Sequence, residues 1–131
     1  MIYTFTLDGK PIPQGRPKVS VHGGFPKVYY SSSSNAYRKA LVAAVESAKA
    51  SRYASATFPI QEASVRIGAF GMNKNADPDN LAKQVMDALV TAGVLAGDEW
   101  PHVPRLVVEC YESSPATRHV HITVESLTRE E

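Results

Sequence analysis

Residues 62–93 read EASVRIGAFGMNKNADPDNLAKQVMDALVTAG, and the apolar pattern changes period within them. From Glu62 to Gly71, Ala63, Val65, Ile67 and Ala69 alternate with Ser64, Arg66 and Gly68. That two-residue period is the mark of a strand with one face buried. After a short turn at 72–76, Leu81, Val85, Ala88, Leu89 and Ala92 recur at helical spacing. This predicts a helix from about Pro78 to Ala92, stopped by Gly93. A strand that enters a helix through an acidic turn is the unit around which the remaining chain is arranged.

Upstream, Tyr37, Leu41, Ala44, Val45 and Ala48 form a second helical stripe, which predicts a helix from about Asn35 to Ala50 with Ser34 as N-cap. Ile2 to Leu7 alternates as a strand, and Val19 to Tyr30 reads as a loose hairpin turning at Gly23-Gly24. Downstream, two strands at about 105–112 and 119–126 are joined by the turn Ser113 to Thr117. The expected architecture is α+β, one domain over residues 1–131 with a mixed sheet and two principal helices, and with 128–131 frayed. At 131 residues and 44% apolar content the chain can bury a substantial core. No apolar run approaches the roughly 18 residues of a membrane span. The start MIYTFTLDGKPIP lacks the basic and apolar regions of a signal peptide. Together with a single cysteine, Cys110, this leads us to expect a cytoplasmic, nucleoid-associated protein without a disulfide framework. Cys110 itself reads as a small buried strand residue.

The net charge of +1 conceals an asymmetry. Residues 1–60 carry a net +6 and residues 61–131 a net −5. A basic half beside an acidic half suits a phosphate-binding surface next to a cation site, although two such halves also simply attract each other. Most of the loop DGKPIPQGRPK at 8–18 is turn formers and cations. Its three prolines and two glycines exclude a helix or central strand. Lys10, Arg16 and Lys18, with Lys27 and Arg38 further on, are the candidate DNA-phosphate contacts. Tyr29 and Tyr30 are candidate stacking residues or core and interface residues.

The acidic turn Asp77-Pro78-Asp79-Asn80-Leu81-Ala82-Lys83, with Asp98 some twenty positions on, admits two readings. Mg²⁺ takes oxygen ligands from a few carboxylates, completed by water and substrate phosphate. Asp77 precedes a proline and is thereby biased to extended backbone, where residues i and i+2 project to one side, so Asp77 and Asp79 can converge on one ion. Asn80 offers a supporting amide oxygen, Lys83 lies one helical turn beyond Asp79, and Asp98 can fold back as a third carboxylate. The plainer reading is a helix start: Asp77 as N-cap, Pro78 at the first position, Asp79 favoured by the helix dipole, and Asp79, Lys83 and Asp87 as i,i+4 pairs. An EF-hand fails at Leu81, Ala82 and Ala88, where a ligand, a glycine and a glutamate are required. His102, His119 and His121 are a weak start for a zinc site, with no matching spacing and only Cys110 as a thiol. No phosphate-binding glycine loop or serine-hydrolase elbow is present.

The run from Asp77 to Lys83, continued by Met86-Asp87-Ala88-Leu89, Gly93 and Asp98, resembles the RusA family of Holliday junction resolvases, with their D-x-D-N-x-x-K…D-A-L…G…D pattern. Pro11-Ile12-Pro13-Gln14-Gly15-Arg16-Pro17 is similar to the proline loop of phage-borne members, which suggests a phage or prophage origin. The chain departs from some members at Ala76, where they have a basic residue, and at Gly97, where they have a second acid, and from many at Pro78, where they carry an aliphatic residue. The resemblance implies a homodimeric endodeoxyribonuclease that cuts four-way DNA junctions symmetrically with Mg²⁺ or Mn²⁺. It implies metal-binding and catalytic roles for Asp77, Asp79 and Asp98, a catalytic Lys83 and a supporting Asn80. Two alternatives stay open at this point: a junction-binding protein that does not cut, and an acidic-loop metal or protein interaction module with no DNA role.

Overall fold

We describe residues 1–15 and 18–127 of the chain in a computed structural model. The elements in order are β1 (Ile2–Asp8), β2 (Lys18–His22), β3 (Phe25–Tyr29), α1 (Ser32–Ala50), β4 (Ala63–Phe70), α2 (Pro78–Thr91), β5 (Arg105–Tyr111) and β6 (His119–Ser126). Four strands form one mixed sheet in the order β1-β6-β4-β5. β6 pairs antiparallel with both β1 and β4, and β4 pairs parallel with β5. The parallel pair follows from α2, which carries the chain from the end of β4 back to the start of β5 as a βαβ crossover. β2 and β3 make a separate two-stranded ribbon. The α+β reading with a mixed sheet and two helices therefore holds.

The alternating stretch at β4 behaves as its period requires. Ala63, Val65, Ile67 and Ala69 are fully buried, while Ser64, Arg66, Gly68 and Phe70 face the other side. In register with them lie Val120, Ile122 and Val124 of β6, which in turn face Leu7, Phe5 and Tyr3 of β1. α1 and α2 pack on this apolar face and on each other, α1 through Tyr37, Leu41 and Val45, α2 through Leu81, Val85, Ala88 and Leu89. Burial of side chains of this size stabilises by about 1.5–3 kcal/mol each, so truncating Leu89 to alanine would cost about 2–5 kcal/mol.

Two local expectations are corrected. The first helix begins at Ser32, not Asn35, and its cap is Ser31, whose Oγ accepts from the Ser34 N–H at 3.3 Å. Four consecutive serines can each cap, and the one that wins leaves Ser34 buried against α2. Cys110 is exposed: β5 is the edge strand, and its last two residues are uncovered.

Candidate functional site

α2 starts where Pro78, which lacks an N–H, takes the first helical position after the extended Asp77 (φ −89°, ψ 127°). Asp77 occupies the N-cap position, yet its side chain makes no capping hydrogen bond. The carboxylate is exposed, so the cap that would explain an aspartate here is unspent. Asp79 lies inside the first helical turn, not in extended backbone. The i,i+2 argument for bringing it together with Asp77 therefore fails: Pro78 starts the helix one residue too early.

Asp79, one turn before Lys83, shares with it a cavity of about 400 Å³. Asp98, from the loop after α2, lines the same cavity, with Asp87, Gln14 and Leu106 among the other walls. The fold thus brings Asp79, Lys83 and Asp98 to one place and leaves Asp77, two residues before Asp79, outside the cavity's lining. Lys83 makes no ion pair among the described residues, so the expected i,i+4 bridges to Asp79 and Asp87 are absent. Asp87 pairs instead with Arg38 of α1 at 3.3 Å.

Gln14 of the proline loop also lines the cavity. The Gln14 N–H donates to the Asn80 carbonyl at 3.0 Å, tying the loop to the first turn of α2. Behind it Gln84, fully buried, reaches four partners. Its Nε2 donates to the Ser34 carbonyl at 2.9 Å, to Ser34 Oγ at 3.2 Å and to the Ile12 carbonyl at 3.4 Å, and its Oε1 accepts from Arg38 Nε at 3.0 Å. One amide thereby joins α1, α2 and the proline loop. Its angular position between Leu81 and Ala88 was the available signal, and a polar side chain there was easily read as surface.

Of the candidate phosphate contacts, Lys10 is exposed beside a second, larger cavity of about 850 Å³. Lys18 and Lys27 are exposed on the β2–β3 ribbon. Arg38 is not a free cation: Gln84 and Asp87 hold its guanidinium. Arg16 lies outside the described residues. Tyr29 is exposed and Tyr30 half-buried.

The acidic side chains lining the cavity, Asp79, Asp98 and Asp87, offer hard oxygens, and no histidine or cysteine lines it among the described residues, a donor set compatible with a hard divalent ion such as Mg²⁺ or Mn²⁺. Among the described residues no three His, Cys, Asp or Glu side chains stand close enough to hold an ion by themselves. A magnesium ion does not need such a cage, since one or two carboxylates with water and substrate phosphate suffice. The same observation removes the zinc reading. Nδ1 of His102 is held against the Gln61 carbonyl at 2.6 Å and that of His119 against the Thr117 carbonyl at 2.7 Å, while Nδ1 of His121 faces Thr6 Oγ1 at 3.1 Å. No helix among the described residues is long and apolar enough to cross a membrane.

Comparison with known proteins adds the following. No curated protein matches the chain. A solved structure of a 2C-methyl-D-erythritol 2,4-cyclodiphosphate synthase from Plasmodium vivax is similar over 94% of this chain and 90% of that one, at 12% identity and a TM-score of 0.32. A likeness that low carries no argument about fold or function. The sequence model of one protein family, described as Endodeoxyribonuclease RusA, matches residues 8–125.

Proposed function

The chain belongs to the RusA family of endodeoxyribonucleases, enzymes that resolve Holliday junctions, and from that premise we propose that it cuts four-way DNA junctions in a reaction dependent on Mg²⁺ or Mn²⁺. The observation that carries this reading is the meeting of Asp79, Lys83 and Asp98 in one cavity from two separate parts of the chain. Helix capping and surface pairing account for neither Asp98 nor the unpaired Lys83. When bound, the divalent ion would polarise the phosphodiester and lower the pKa of an attacking water.

The chain's own residues have distinct parts. Asp79 and Asp98 would hold the ion within the cavity, and the exposed Asp77 carboxylate, two residues before Asp79, would add a further contact. Lys83 brings a positive charge to the same space, where it stabilises the charge that grows on phosphate in the transition state. Asn80 acts as a support: its carbonyl fastens Gln14 and with it the proline loop. The basic first half, Lys10, Lys18 and Lys27 among the described residues, supplies the salt-dependent hold on DNA. A symmetric homodimer would present two such sites to one junction, and the enzyme would work in the cytoplasm where the DNA is.

The test is cleavage of a synthetic four-way junction with and without Mg²⁺, run beside Asp79→Asn and a linear duplex of the same sequence. We expect paired nicks that require the metal, the junction and Asp79. Cleavage that persists in the variant, or that is equal on linear duplex, overturns the assignment. Tight junction binding without any nicking would favour a purely structural protein.

A further inference from the structure

The larger cavity, about 850 Å³, contains none of the aspartates discussed so far. It opens where β4 and β5 end side by side, and its lining includes Lys10, Lys74, Arg118 and Tyr111. Three cations there face one carboxylate, Glu112, which pairs with Lys74 at 2.9 Å. The carboxylate cavity has the reverse balance, three aspartates and one lysine. Ala76 and Pro78, the two neighbours of Asp77, line the basic cavity, whereas Asp79 lines the acidic one. The two spaces therefore meet at the start of α2, with Asp77 at the boundary.

Three features show a built surface. Arg118 lies across Gly71, whose φ of +80° and lack of a side chain leave the room: a Cβ at that position would collide with Arg118 Cγ. Arg118 Nε is buried and has no hydrogen-bond partner among the described residues, so the side chain is held by packing and a ligand would be met by its other guanidinium nitrogens. Beside it, Tyr111 stacks on Phe70 with centroids 4.9 Å apart, and Phe70 stacks on His119 at 4.3 Å and only 8° from parallel. The outer ring, Tyr111, is exposed, and its hydroxyl is tied to Glu109 Oε2 at 2.9 Å. A half-open aromatic face beside Arg118 and Lys10, neither ion-paired among the described residues, is the chemistry that takes a nucleotide: phosphate on the cations, base or sugar on the ring.

We infer that this cleft holds the nucleotide adjoining the cut on the cleaved DNA strand, with Arg118 and Lys10 on its phosphate and Tyr111 under its base. The inference rests on the junction-cutting reading above and adds to it a direction for the strand, across Asp77 from the acidic cavity into the basic one.

The experiment measures binding of a fluorescent four-way junction in EDTA, across a salt series, for the wild type, Arg118→Gln, Arg118→Lys and Tyr111→Leu, each checked for folding by circular dichroism. Arg118→Gln should weaken binding and lower the salt slope by about 0.7–0.9, one phosphate contact, while Arg118→Lys keeps the slope. Tyr111→Leu should weaken binding roughly tenfold and leave the slope unchanged. If folded variants match a junction-binding wild type in affinity and slope, the cleft is not a DNA contact, and the junction reading still stands. A loss of affinity in Arg118→Gln at constant slope likewise overturns the phosphate role. A wild type that binds no junction removes both proposals.

Discussion

Replacing Gln84 with methionine should destabilise the protein by about 2–3 kcal/mol. The two side chains are unbranched and of similar length, so cavity and overpacking effects stay small. What changes is the hydrogen bonding. The buried Ser34 hydroxyl loses a donor at 3.2 Å, which costs about 1–3 kcal/mol if nothing replaces it. Arg38 loses its acceptor at 3.0 Å but keeps Asp87 and some access to water, so that loss is about 0.5–1.5 kcal/mol. The Ser34 carbonyl still accepts within α1, and the Ile12 contact at 3.4 Å is weak. Burying a thioether instead of an amide returns part of the sum. Urea unfolding followed by circular dichroism, with the m-value held as a check on two-state behaviour, reads the difference directly. Hydrogen exchange at Gln14 should rise in the same variant, since Gln84 braces the loop that Gln14 anchors. A variant as stable as the wild type, with Gln14 equally protected, would refute the claim that this amide joins the three elements.

Three further outcomes are expected. Asp77→Ala should cost well under the roughly 1 kcal/mol of a lost N-cap, because the side chain makes no capping bond, yet it should abolish metal-dependent cleavage; a melting temperature several degrees lower would return Asp77 to a capping role. Lys83→Ala should slow junction cleavage by about 10²–10³-fold while leaving binding in EDTA within a few-fold, and equal losses in both would make it a binding residue instead. Tyr37 is buried with its hydroxyl unpartnered among the described residues, and burial raises its pKa well above the ordinary 10.0. The folded state then keeps a proton that the unfolded state gives up, so its contribution is intact below about pH 10 and is lost as pH rises beyond that value. Tyr37→Phe should raise the melting temperature at neutral pH, by relief of about 1–2 kcal/mol, and flatten the alkaline decline; an unchanged profile in thermal scans from pH 8 to 11 would show that the hydroxyl has a partner.

The sequence was most legible where period alone decides. Alternation at β4 and the stripe from Leu81 to Ala92 placed a strand, a helix and their buried faces, because those patterns state which side of an element meets the core. It was less legible where several residues are equally competent. Any of Ser31 to Ser34 can cap α1, and only docking on Gln84 separates them. Cys110 shows a third limit: alternation assigns a residue to a face but does not say whether that face is covered at the sheet's edge. Arg38 shows a fourth, since charge is visible in a string and the acceptors that engage it are not. Asp79, Lys83 and Asp98 were singled out by the family pattern and line one cavity, whereas the spacing argument that joined Asp79 to Asp77 fails. Asp87 as a wall of the same cavity, and the cleft of Arg118 and Tyr111, depend on the crossover and strand register that bring them there.

The pairing of β6 has a consequence for how the chain comes to be folded. Residues 119–126 are the shared partner of β1, more than a hundred positions earlier, and of β4, about fifty to sixty positions earlier. Until they have left the ribosome, β1 has nothing to pair with and β4 offers an open edge to solvent and to other chains. The sheet is thus closed from its C-terminal end, with few local contacts to speed it, which is the topology that folds slowly and late. A nascent or truncated chain that stops before His119 would carry Asp77, Asp79, Lys83 and Asp98 on the β4–α2–β5 unit alone, with β1 unpaired and one edge of β4 open, so the full sheet behind those residues closes only once the last strand is made.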